Sequence, residues 1–123
     1  MTVKALAAII LIAAAPAMAH PKLLSATPAA DSNVTAPARI NLGFSEAMIP
    51  KMTSLSITMT AMPGMADHAP MTVKPIAISF GADGKSVEAR LKAPLAAGGY
   101  RVDWRSVGAD THRVSGSYSF TVR

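Results

Sequence analysis

The sequence predicts an all-β domain, an immunoglobulin-like β-sandwich or Greek-key barrel of about seven strands. Three observations carry that expectation. Apolar and polar residues alternate with period two in several short segments, turn residues separate those segments, and nothing after residue 19 sustains a helical period. The chain has 123 residues, of which 50% are hydrophobic and 15% charged. That is enough for one hydrophobic core, too short for a second, and too apolar for a disordered polymer.

Taken in order, the first strand candidate covers residues 39–44. Leu55-Ser-Ile57-Thr-Met59-Thr alternates cleanly, and residues 73–80 form the next candidate. Val87-Glu-Ala89-Arg-Leu91 and Tyr100-Arg-Val102-Asp-Trp104-Arg repeat the pattern. The last segment puts Val114, Gly116, Tyr118, Phe120 and Val122 on one face, with Ser115, Ser117, Ser119 and Thr121 on the other. Turn signals fall between them: Ala82-Asp-Gly84, Ala97-Gly-Gly99, and prolines 28, 37, 50 and 94. Trp104 is the expected central core residue, with Tyr100 and Val102 on its face.

Residues 1–19 read as a secretory leader. Lys4 supplies a positive start, residues 5–15 are continuously apolar, Pro16 breaks the helix, and Ala17-Met18-Ala19 offers small residues at the cleavage positions. An apolar run that short cannot cross about 30 Å of hydrocarbon. An uncleaved amphipathic anchor is the alternative. No Arg-Arg pair precedes the apolar run, which favours the general secretory route to the periplasm. The expected domain is residues 20–123, beginning at His20, with no membrane span after processing.

Composition excludes several chemistries. Without Cys there is no disulfide scaffold, thiolate zinc site, iron–sulfur cluster or cysteine nucleophile. The net charge is +5, but the basic residues after the leader are scattered singly rather than clustered among aromatics. Nucleic acid is therefore not an expected partner.

Eight Met against three Phe and one Trp is the unusual ratio. Met59, Met62, Met65 and Met71 fall with His68 in a stretch of thirteen residues interrupted by Pro63, Gly64 and Pro70. Such a stretch should be a loop. Thioether sulfur is a soft donor suited to Cu(I), and His68 is a plausible further ligand. Met59 is in phase with Leu55 and Ile57 and fits ordinary core equally well. Adaptable packing over the end of the sandwich is the other explanation for the remaining Met.

A second constellation depends on processing. Cleavage after Ala19 gives His20 a free amine beside its imidazole, and the two can chelate a metal. Pro21 has no backbone N–H, so amide wrapping of Cu(II) stops at the terminus. Asp110-Thr-His112 offers a carboxylate and an imidazole at i and i+2, which share a face in extended backbone. Amine, two imidazoles and a carboxylate form an N₃O set that suits Cu(II). Alternatively, Asp110 and His112 are merely turn residues.

These residues resemble the CopC-type periplasmic copper-resistance proteins over essentially the whole chain after the leader. The likeness runs through His20-Pro-Lys-Leu, Ser25-Ala-Thr-Pro28, Leu42-Gly-Phe-Ser-Glu46, the Met-rich stretch, Gly99-Tyr-Arg-Val-Asp-Trp104-Arg, and Asp110-Thr-His112 with Ser115-Gly-Ser. The resemblance implies a small β-sandwich with two separate copper sites. It assigns His20, Asp110 and His112 to Cu(II), with Glu46 a possible neighbour, and Met59, Met62, Met65, His68 and Met71 to Cu(I). One departure stands out: Ala66-Asp67 puts two residues between Met65 and His68, where the family pattern has one.

The expected function is a non-enzymatic carrier or buffer of periplasmic copper. It would pass the metal to a CopD-like inner-membrane transporter or a periplasmic copper protein such as an oxidase. Two competing readings are a copper monooxygenase built on the N-terminal His chelate and a metal-free structural sandwich. With one Trp, two Tyr and three Phe, several of them at core-facing positions of the alternation, the flat aromatic face such an oxygenase needs is hard to build.

Overall fold

The computed structural model describes residues 20–65 and 69–123. The leader and His68 lie outside the described residues. Nine strands are described: β1 (Leu23–Thr27), β2 (Asn33–Val34), β3 (Arg39–Phe44), β4 (Ser54–Ala61), β5 (Met71–Val73), β6 (Ala77–Phe80), β7 (Ser86–Arg90), β8 (Gly98–Val107) and β9 (Arg113–Val122). A single 3-10 turn, Pro50–Met52, precedes β4. No described helix is long and apolar enough to cross a membrane.

The strands form two sheets, ordered β1-β3-β7-β6 and β2-β9-β8-β4-β5. All ladders are antiparallel except the short parallel pairing of β2 with β9. The period-two pattern has become a buried inner face: Ile40, Leu42 and Phe44 from β3, Val87 and Ala89 from β7, Ile57 and Met59 from β4. Tyr100, Val102 and Trp104 from β8 meet Tyr118, Phe120 and Val122 from β9 in the same core. This is the expected sandwich.

β1 and β2 lie outside the sequence candidates, and one further strand has a local cause. The sequence pattern suggested one strand over residues 73–80, but the segment is split into β5 in one sheet and β6 in the other. Pro75 has no N–H to donate to a ladder, so pairing lapses there and the chain crosses between sheets. The Met stretch also departs from the loop expectation. β4 continues to Ala61, and Met71 opens β5 directly opposite Met59.

β8 is the long central strand of its sheet, paired with β4 on one side and with β9 along its full length on the other. Trp104 packs edge-on to Phe44 of the facing sheet, with ring centroids 4.9 Å apart. Its β9 partner is Gly116, and a Cβ there would come within 2.6 Å of the indole Cζ2. The missing side chain makes room for the largest one in the core. Gly116→Ala should therefore lower stability by about 1–3 kcal/mol through overpacking, read by urea unfolding with Trp104 fluorescence. An unchanged midpoint would mean that the indole has room to move.

Candidate metal centre

The site is built from opposite ends of the chain. Pro21 is buried against Gly108, where an added Cβ would lie 2.9 Å from the proline Cδ and 3.1 Å from Asp110 Oδ1. Next along the chain, Lys22 N–H donates to Ser45 Oγ at 2.9 Å, and Ser45 N–H donates to the Lys22 carbonyl at 2.9 Å. These contacts fix the segment that carries His20 before β1 begins.

Asp110 and His112 lie in the connection between β8 and β9. Gly108 N–H donates to the His112 carbonyl at 3.2 Å, and Thr111 N–H donates to the Gly108 carbonyl at 2.9 Å. His112 N–H donates to Asp110 Oδ1 at 3.1 Å, closing an Asx turn. Thr111 is left-handed, with φ of 69°. For a β-branched residue that conformation costs roughly 1–2 kcal/mol. Extended backbone would bring Asp110 and His112 together by alternation. Here a turn closed by the Asp110 carboxylate brings them together instead.

The side chains converge on one oxygen. His20 Nδ1 is 3.1 Å and His112 Nδ1 2.9 Å from Asp110 Oδ2. The two imidazoles meet edge to face, with centroids 4.9 Å apart. One donor atom from each of the three residues lies within 4.8 Å of the others. Metal–ligand bonds of about 2 Å place neighbouring donors of a tetragonal site about 2.8 Å apart, close to the His–Asp contacts. The imidazoles are half-exposed, at 47% and 60% of the side chain, whereas Asp110 is 12% exposed. An ion can reach the site from solvent, and the carboxylate is held from beneath. Glu46 is outside this donor group.

Hydrogen bonds from the His112 imidazole and then its backbone N–H hold the Asp110 carboxyl below the ordinary carboxylate range. Partial desolvation opposes this, and the charges of His112 and His20 add smaller lowering effects. Asp110 is thus held as an ionised acceptor for its two imidazole neighbours.

The Met cluster occupies the other end of the sandwich. Pro63-Gly64, with Gly64 at φ of 75°, forms a tight turn that pairs Met62 with Met65, and Met65 N–H donates to the Met62 carbonyl at 3.1 Å. Pro followed by a left-handed Gly is the type II turn signature. Met59 and Met71 are directly opposed across β4 and β5, so their side chains share a face. Met59 is buried, Met62 half-buried, and Met65 and Met71 exposed. Met59 also packs in the core, so the core reading of this residue holds alongside any ligand role. Along β8, Tyr100 faces Met59 and Gly108 begins the His/Asp loop. Eight residues at about 3.3 Å each put roughly 26 Å between the two clusters.

Fold and cluster together define a class: a small two-sheet β-sandwich with an open nitrogen–oxygen donor set at one end. The CopC domain family matches residues 23–123, and the chain belongs to that family. It is 50% identical over 107 residues to copper resistance protein C of Escherichia coli, covering 87% of this chain and 84% of that protein. Identity to copper resistance protein C of Pseudomonas syringae pv. tomato is 48% over 113 residues, covering 92% and 88%. The crystal structure of PcoC, a methionine-rich copper resistance protein from Escherichia coli, superposes with a TM-score of 0.76 at 48% identity, over 85% of this chain and all of that one. CopC from Methylosinus trichosporium OB3b gives 0.68 at 29% identity, over 84% and 93%. The family match begins at residue 23, just after His20.

Because Asp110 holds a proton less tightly in the fold than in the unfolded chain, its stabilising contribution is complete above the ordinary carboxylate pKa near 4. That contribution fades as pH falls through the lower folded value. In copper-free protein, the stability gap between wild type and Asp110→Asn should be full at pH 6 and close on acidification towards pH 2. A gap that stays constant in urea titrations across that range would contradict the hydrogen-bonded carboxylate.

Proposed function

We propose that this protein is a periplasmic copper carrier. In this reading it holds Cu(II) at His20, Asp110 and His112, and Cu(I) at the methionine cluster. The observation that carries the reading is the convergence of two imidazoles and a carboxylate at the point where the exported chain would begin. The copper resistance proteins to which it is similar support the choice of metal. Cleavage after Ala19 would add the His20 amine to the set. Pro21, buried beneath, stops amide coordination and leaves equatorial positions for Asp110 and His112.

At the other end, Met59, Met62, Met65 and Met71 supply soft donors, with His68 as a further ligand. The paired turn and the β4–β5 register support the convergence of four thioethers. Copper is the cargo, and its oxidation state selects the end that binds it. With roughly 26 Å between the ends, an ion cannot pass from one to the other in a single ligand exchange. Transfer therefore takes place between molecules, to a CopD-like membrane transporter or a periplasmic copper protein such as an oxidase.

The amine has a reference pKa of about 7.7–8.0 and must lose its proton to bind. Cu(II) affinity should consequently fall steeply between pH 8 and pH 5.5. It should also weaken at least about tenfold when one Ala precedes His20. EPR with a competing chelator reads both, and equal affinity in the two forms would remove the amine from the site.

Peroxide should oxidise exposed Met65 and Met71 before buried Met59 and reduce Cu(I) affinity while leaving Cu(II) binding intact. Peptide mass mapping with a Cu(I) competition assay tests this. Full Cu(I) affinity in protein oxidised at both positions would exclude their thioethers.

A further inference from the structure

The outer face of the five-stranded sheet carries features that neither copper site uses. Its rows of Ser and Thr, including Ser54, Ser56 and Ser115, floor a trough of about 560 Å³. A second hollow of about 440 Å³ continues it towards the His112 end and shares Ser54, Arg105 and Ser115 with the first. Exposed Lys51, Arg105 and Arg113 line this path, and none of the three forms an ion pair among the described residues. The trough's one acidic side chain, Asp103, is engaged by Arg101 at 3.0 Å. The exposed thioether of Met52 completes the far end, and Arg113 directly follows the His112 ligand candidate.

On the facing sheet, by contrast, Arg39 and Arg90 flank Glu88, each about 4.0 Å away. On the outer face of the five-stranded sheet, Lys51, Arg105 and Arg113 thus present positive charge along one line with no acidic partner among the described residues. From Arg101 to Val107 that line measures about 20 Å, the reach of a six- or seven-residue extended peptide. Small hydroxyl side chains leave room for a backbone and offer it hydrogen bonds. A trough floored by hydroxyls and lined by cations suits an acidic, strand-like segment.

We propose that this trough docks an acidic, extended segment of the protein with which copper is exchanged, setting that partner beside the His20–Asp110–His112 end. The inference rests on the carrier reading for the partner's identity, and on charge and shape for the surface. Unpaired positive charge along the trough would speed encounter and orient the partner.

The test uses an acetylated, fluorescein-labelled peptide of alternating Glu and Asp, eight residues long, with copper-free protein. Anisotropy should show salt-sensitive binding, and amide shifts should cluster at Ser54, Ser56, Arg105 and Ser115. Lys51→Glu with Arg105→Glu should weaken binding at least about tenfold. Lys85→Glu with Lys92→Glu, which changes net charge equally at positions flanking β7, should weaken it less than about threefold. Equal losses in the two double variants would overturn the proposal, as would binding to phosphatidylglycerol vesicles without binding to the peptide. Cu(II) EPR on the same samples separates this from the carrier reading. An intact copper signal in the Lys51/Arg105 variant with peptide binding lost assigns the effect to the trough. Peptide binding by a wild-type protein that takes up no copper would overturn the identification of the partner as a copper-exchange protein.

Discussion

The structure depends on the pairing of β8 with both its neighbours. Its inner face supplies Tyr100, Val102 and Trp104 to the core, and its ladder with β9 runs from Gly98↔Val122 to Val107↔Arg113 without a break in register. A slip of one residue would turn Trp104 outward and bring a side chain, rather than Gly116, against the indole. That register also sets function. It fixes where the turn containing Asp110 and His112 emerges, and at its other end it aligns Tyr100 with Met59. The two donor clusters are thus held apart by the length of one strand.

The ends of the sandwich differ in kind. At one, a carboxylate is held beneath two half-exposed imidazoles by an Asx turn and a left-handed Thr111, a strained geometry maintained by its neighbours. At the other, flexible thioethers sit on a tight Pro-Gly turn and a short edge pairing. The first has its donors fixed in place by the turn, and the second is adaptable. Hard and soft donor chemistry are segregated by architecture, so neither cluster has to compromise its geometry for the other.

Much of this was legible in the sequence because period-two alternation is a direct record of which residues face the core. Trp104, Tyr100 and Val102 were read correctly on that basis, as was the last strand. The break at Pro75 was harder to see. Residues 73–80 keep a plausible alternation across it, and only the crossing between sheets reveals that the ladder has stopped. Pro63, Gly64 and Pro70 point to a loop around Met71, whereas the three-residue strand it opens is held by a non-local pairing with β4 that no local pattern reveals. For Asp110 and His112, residue type and spacing point to a shared site, but the alternation of an extended strand is not what joins them. The actual cause, a carboxylate capping its own turn, depends on a backbone conformation at Thr111 that Thr rarely adopts. No local pattern links His20 to them: donor chemistry and the family resemblance join the three in the sequence, and the fold brings their donor atoms within 4.8 Å of one another.

That distance along the chain has a consequence for a protein with no cysteine. His20 precedes the first strand, whereas Asp110 and His112 precede the last. An ion shared among them would tie the two together and close a loop around nearly all of the folded chain. It would act as a removable cross-link, restricting the unfolded ensemble as a disulfide does and holding the first strand to the body of the sandwich. Loss of the cargo would remove that cross-link and leave the chain's beginning to the Pro21 packing and the Lys22–Ser45 hydrogen bonds.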